Sequence, residues 1–134
     1  MGRGTTEAIQ QTQKAINFYQ GAFLPGDASE PWTNSIRERL RSKFLRCVVK
    51  LGHHWQDIKE WEKAAECYQR GLEVDERIEQ FYLNLMIMYQ RLGRRTEALS
   101  VYDRCRRALS STLGIEPSPE TNSLRNTLLL DKNS

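Results

Sequence analysis

Two adjacent histidines and three scattered cysteines are the side chains most able to do chemistry in this chain. The histidines are His53 and His54; the cysteines are Cys47, Cys67 and Cys105. Zinc needs several such ligands converging from fixed spacings, such as C-x-x-C pairs or histidines one helical turn apart. Neighbouring positions on a helix diverge by about 100°, so His53 and His54 cannot hold one ion from one face. No second histidine or cysteine lies one turn away, and no C-x-x-C occurs. Cys47 stands six residues before His53, which is not a shared helical face, so a thiolate–imidazole pair is not expected either. No G-x-S-x-G elbow and no phosphate-cradling glycine loop is present. Gly26-Asp27 reads as turn chemistry. No catalytic residue, metal or cofactor is expected, and the chain reads as a non-enzyme.

The charged residues are more informative. The net charge is only +3, but the cations are bunched. Arg39, Lys43, Arg46 and Lys50 step by four, three and four, which places them on one helical face. Arg94, Arg95, Arg104, Arg106 and Arg107 form a second group, and Glu73, Asp75, Glu76 and Glu79 make an acidic turn between the two. Charge runs are ordinarily solvated faces. The first group could instead hold an acidic peptide or a C-terminal carboxylate. The second could touch phosphates, which needs no sequence motif. Arg106 and Arg107 diverge, however, and no aromatic–basic interleaving of the strand-stacking kind occurs. Direct DNA contact by this chain is not expected.

These side chains must be carried by helices, because no segment alternates with period two. The first helix reads from about Thr6 to Tyr19, capped by Thr5 or Thr6 and ended by Gly21. The following stretch holds Pro25, Pro31, Gly26 and Asp27 and cannot be helix interior. Phe23, Leu24 and Trp32 would pin that loop to the core. A second helix starts near Asn34, with Ser35 and Glu38 as a capping box. Ile36, Leu40, Phe44, Val48, Leu51 and Trp55 form its apolar stripe. Gly52 lies inside it, where a close helix with Ala64 opposite would compensate the cost of about 1 kcal/mol. Further helices are expected through Leu72, then to Leu92, then to Leu113, with Gly93 and Gly114 as left-handed stops. Ser118 as N-cap and Pro119 at the first helical position open a sixth.

The middle of the chain repeats itself. Leu51, Trp55, Ala64 and Tyr68 return 34 residues later as Leu85, Tyr89, Ala98 and Tyr102. That period, with small and aromatic residues at these places, is the signature of tetratricopeptide-type helical hairpins. The expectation is an all-α stack of about six helices in a right-handed superhelix. Met86 stands where the second unit would have the glycine, so that hairpin should be built differently. In this frame the first helix of each unit lines the concave groove. That places Arg46, Lys50 and His53 of one unit beside Asn84, Ile87 and Arg91 of the next.

The flanks extend the likeness. Phe23-Leu24-Pro25-Gly26-Asp27, then Pro31-Trp32, Arg37 and Leu40-Arg41 resemble the opening of the bacterial transcriptional activator domain. So do Leu72-Glu73-Val74-Asp75, Glu79, Leu85-Met86, Tyr89, Arg91-Leu92-Gly93-Arg94, Glu97-Ala98-Leu99 and Tyr102. The ending from Leu113 to Thr121 is similar too. The resemblance implies a tetratricopeptide-like module of regulators in which it usually follows a winged-helix DNA-binding domain. Its partners would be an adjacent regulator domain, a second copy as a homodimer, or RNA polymerase. A stand-alone adaptor binding an acidic tail and a helical nucleic-acid-binding domain are the other readings.

Composition fits one ordinary domain, with 39% apolar and 28% charged residues. Residues 1–5 read as a disordered or vector-derived start, 6–131 as the domain, and 132–134 as a fraying end. No apolar run reaches the roughly 18 residues of a membrane span, and no signal-peptide core follows Met1. Three unpaired, widely spaced cysteines suit a reducing cytoplasm and are expected to be small buried groups.

Overall fold

The computed structural model describes residues 2–21 and 31–130, with side chains over residues 8–18 and 35–130. Among these it consists of six helices and no strand. They are α1 (Gly2–Gly21), α2 (Pro31–Asp57), α3 (Trp61–Val74), α4 (Glu79–Arg91), α5 (Arg95–Leu113) and α6 (Pro119–Leu130). From α2 onward the connections are three to five residues long, and each helix packs chiefly on its neighbours in sequence. Short loops between helices of this length give antiparallel hairpins. The all-α, tetratricopeptide-like expectation holds.

Two helix starts lie earlier than expected. Helix α1 begins at Gly2, so neither Thr5 nor Thr6 caps it. The free N–H groups of a helix start can be satisfied by water as well as by a cap. Helix α2 begins at Pro31. Proline suits a first helical position, where its missing N–H is not needed. Ser35 therefore lies inside the helix, and the expected capping box with Glu38 does not form; Glu38 instead pairs with Arg41. The anchoring roles expected of Phe23, Leu24 and the Trp32 side chain, and the fraying of 132–134, lie outside the described residues.

The core is one continuous cluster. Phe44, Val48 and Leu51 of α2, Ala64 and Tyr68 of α3, Leu85, Met86 and Met88 of α4, and Ala98 and Cys105 of α5 are all fully buried. Ile36, at the start of the expected apolar stripe, is exposed. Helix α2 has 27 residues and α3 only 14, so the stripe outruns the helix that covers it.

Gly52 permits the close approach expected of it, but its neighbour is Tyr68. A Cβ on Gly52 would stand 2.6 Å from the Tyr68 ring. The Tyr68 hydroxyl donates to Gln56, and burial pushes it up to about 12. In the second unit Met86 fills the glycine's place. The Tyr102 hydroxyl there turns to α6 and donates to Asn122 Oδ1 at 2.6 Å. The two hairpins thus differ where the sequence breaks its own repeat.

Their turns, by contrast, are the same device. Lys59 N–H donates to the Gln56 carbonyl and Glu60 N–H to the Trp55 carbonyl; 34 residues on, Gly93 donates to Gln90 and Arg94 to Tyr89. This hydrogen-bond pair closes a helix through a left-handed residue. Gly93 takes φ 74° at no steric cost, whereas Lys59 takes φ 60°. A side chain there costs about 1 kcal/mol or more. Thermal unfolding should show Lys59→Gly stabilising the chain and Gly93→Ala destabilising it, each by about 1 kcal/mol.

Candidate protein-interaction groove

Helix α2 is amphipathic on more than one edge. Leu45 and Val49 lie one turn apart, just off the buried stripe, and Arg46 and Lys50 follow each of them. The start of α4 faces this edge with Ile78, Gln80 and Phe81. Together these seven residues line a groove of about 400 Å³. Its walls are almost wholly apolar. Arg46 and Lys50 are exposed at its side, and Val49 retains 39% of its surface.

The groove's wall is set from behind. Phe81 is almost fully buried, with its ring centroid 5.8 Å from that of Tyr68. A Cβ on Gly71 would stand 2.6 Å from the Phe81 ring and 3.1 Å from Val48 Cγ1. Only glycine at position 71 lets α3, α4 and α2 meet this way. Gln80 is oriented by donating Nε2–H to Asn84 Oδ1 at 2.9 Å.

Of the six residues the sequence singled out, the structure brings Arg46 and Lys50 to this groove. His53 is exposed on the same face of α2, one turn beyond Lys50. Asn84 is buried beneath Gln80, and Ile87 packs against the core. Arg91 lies towards the far end of α4, with its guanidinium over the Trp61 ring at 5.6 Å. Sequence reasoning missed Leu45, Val49, Ile78 and Phe81. The four-residue step from Leu45 to Val49 was the available signal.

The second cationic group does not form one surface. Arg94 pairs with Glu62 at 3.3 Å, and Arg95 Nη1 donates to the Leu128 carbonyl at 3.1 Å. Arg104 donates to Gln69, and Arg107 to the Asp103 carbonyl. Arg104, Arg106 and Arg107 line a depression of about 630 Å³, but Glu76 and Glu116 line it too.

A family model described as the bacterial transcriptional activator domain matches residues 2–129. The chain belongs to that family. Among curated proteins it is similar to the regulatory protein AfsR of Streptomyces griseus, with 28% identity over 126 residues. The match covers 87% of this chain and 12% of that protein, so the chain spans a small part of that relative's length. No solved structure matches the chain at a significant level.

The residues that carried the family resemblance serve as joints of this activator domain. Asp75 accepts the Arg77 backbone N–H at 3.0 Å and the guanidinium's Nε–H and Nη2–H at 2.9 and 3.1 Å. The Arg77 side chain, chiefly, holds the Asp75 carboxyl below its usual range, and the pair turns α3 into α4. Arg91-Leu92-Gly93-Arg94 is the second left-handed turn. Glu79, at the start of α4, accepts the Ser118 N–H at 2.8 Å and the Thr121 hydroxyl at 2.6 Å. Thr121 is fully buried. Ser118 caps α6 weakly, accepting Thr121 N–H at 3.4 Å.

The activator domain's thiols are poor nucleophiles. Burial pushes Cys67 up to about 11 and Cys105 up to about 12, and it raises Cys47, which is only half-buried. Among the described residues no group of three or more His, Cys, Asp or Glu could hold a metal. His54 instead packs edge-on against Trp55 at 4.8 Å. No described helix is long and apolar enough to cross a membrane.

The Glu79 joint has a pH signature. Burial works against its charged form, but the bonds from Thr121 and Ser118 outweigh it and hold the carboxyl below its ordinary range. A lowered folded value contributes stability above the unfolded value near 4.3 and loses it as pH falls through the folded one. Glu79→Ala should therefore destabilise by about 1–2 kcal/mol at neutral pH. Denaturant unfolding of variant and parent should converge as the pH drops below about 4.

Proposed function

We propose that this domain works as a non-enzymatic docking module in transcription regulation. It holds a protein partner in the groove between α2 and α4. The partner is another domain of the regulator, a second copy, or RNA polymerase, and its docking biases whether the regulator activates. Family membership supports the regulatory role. The observation that carries the docking surface is the apolar groove with Arg46 and Lys50 exposed along it. An apolar centre with a charged rim is the usual anatomy of a protein interface.

Arg46 and Lys50 would make the principal charged contacts in this reading. His53 would extend the contact along α2, and Ile87 and Arg91 along α4. Asn84 would act from below by fixing Gln80. Rigid helices suit the role, because the partner meets a surface that needs little reordering.

The test is double charge reversal, Arg46→Glu with Lys50→Glu, in the protein that carries this domain. Both side chains are exposed, so folding stability should stay within about 0.5 kcal/mol. Transcript profiling in the host should nevertheless reproduce loss of the whole domain. A profile unchanged from the parent would reject the groove as the partner surface.

A further inference from the structure

We propose that the groove's occupant is a single amphipathic helix whose apolar side chains enter between Val49 and Phe81. Acidic residues one turn apart on that helix would pair with Arg46 and Lys50. This rests on the reading of the groove as the partner surface and adds the partner's chemistry.

The first argument comes from the walls. Leu45, Val49, Ile78 and Phe81 offer no side-chain hydrogen bonds, and among the described residues Gln80 is the one neutral polar side chain lining the groove. The flanking α2 backbone is satisfied within its helix, and the first turn of α4, which has no side-chain cap, offers N–H donors but no free carbonyls. A chain entering such a site must bring its own backbone bonds, because an unpaired peptide group in apolar surroundings costs several kcal/mol. A strand would need a sheet edge, and the described residues contain none. A helix satisfies its backbone internally and inserts only side chains. The volume, about 400 Å³, suits a few side chains and not a whole segment.

Charge supplies the second argument. Among the described residues no acidic side chain lines this groove. The larger depression beside α5 differs, since Glu76 and Glu116 stand among its arginines. Cations there are offset within the molecule, whereas those at the α2 edge are offered outward. Arg46 and Lys50 are four residues apart, which is roughly 6 Å along the helix. Acids at i and i+4, or i and i+3, of an adjoining helix have the matching spacing. Like charge at those positions is repelled, so the pair selects partners by sign.

Two synthetic peptides of one helical design test this. Both carry the same leucine stripe; one is flanked by glutamates and the other by lysines. Fluorescence polarisation against the whole chain should show the acidic peptide binding at least ten-fold tighter at low salt, with the gap narrowing at high salt. Arg46→Glu with Lys50→Glu should reverse the preference. Val49→Asp should weaken the acidic peptide about ten-fold or more while leaving Tm within a few degrees. Equal binding of both peptides overturns the acidic rule while leaving the groove a docking surface. Binding that Val49→Asp does not weaken places the peptide elsewhere and overturns the proposal. Failure of both peptides to bind also overturns it; transcript profiling of the charge reversal then decides separately whether the groove meets the partner.

Discussion

The ring of Phe81 against the bare backbone of Gly71 is the contact on which the other features depend. It presses α4 onto α3 at a distance no side chain would allow, and Val48 of α2 closes the same spot from the third side. Tyr68, one turn before Gly71, adds a second ring to the stack and in turn sits over Gly52 of α2. Two glycines and two aromatic rings thereby lock three helices at one place. Interiors packed this tightly transmit position. The start of α4 is fixed relative to α2, and the groove between Val49 and Ile78 is a consequence.

Polar joints then do what packing cannot, which is to set where each helix begins and ends. Asp75 with Arg77 sets the α3–α4 turn, Glu79 with Ser118 and Thr121 ties the start of α4 to the start of α6, and Tyr102 with Asn122 ties α5 to α6. Helix α6 buries only Thr121 and Leu128, so it owes its place to these bonds as much as to apolar area. Such joints are directional, whereas burial is not. They account for the closure of a two-hairpin stack by a helix that buries few of its side chains.

Much of this was legible in the sequence because it is periodic. The 34-residue echo specifies matching helices, matching alanines and matching turns, and all three are present. What it could not convey was identity of contact. Gly52 invited a close neighbour, and the repeat suggested Ala64; the neighbour is Tyr68, because an aromatic ring reaches across a hairpin where a methyl group does not. Gly71 attracted no notice, since its counterpart 34 residues on is Cys105 and the echo fails there. Helix starts differ for a related reason: proline suits a first helical position, so α2 begins at Pro31 and the cap signal at Ser35 falls inside the helix.

The candidate site was half legible for the same reason. Arg46 and Lys50 announce themselves by spacing within one helix, while Ile78 and Phe81 join them only through the packing of a second helix. A double-mutant cycle on Gly71→Ala and Phe81→Leu tests the central contact most directly. Gly71→Ala alone should destabilise by about 1–3 kcal/mol through overpacking. Trimming the ring to leucine should relieve that clash, so the double variant should be more stable than the sum of the singles by about 1 kcal/mol or more. Additive effects within about 0.3–0.5 kcal/mol would show that Gly71 and Phe81 act independently and would contradict this account.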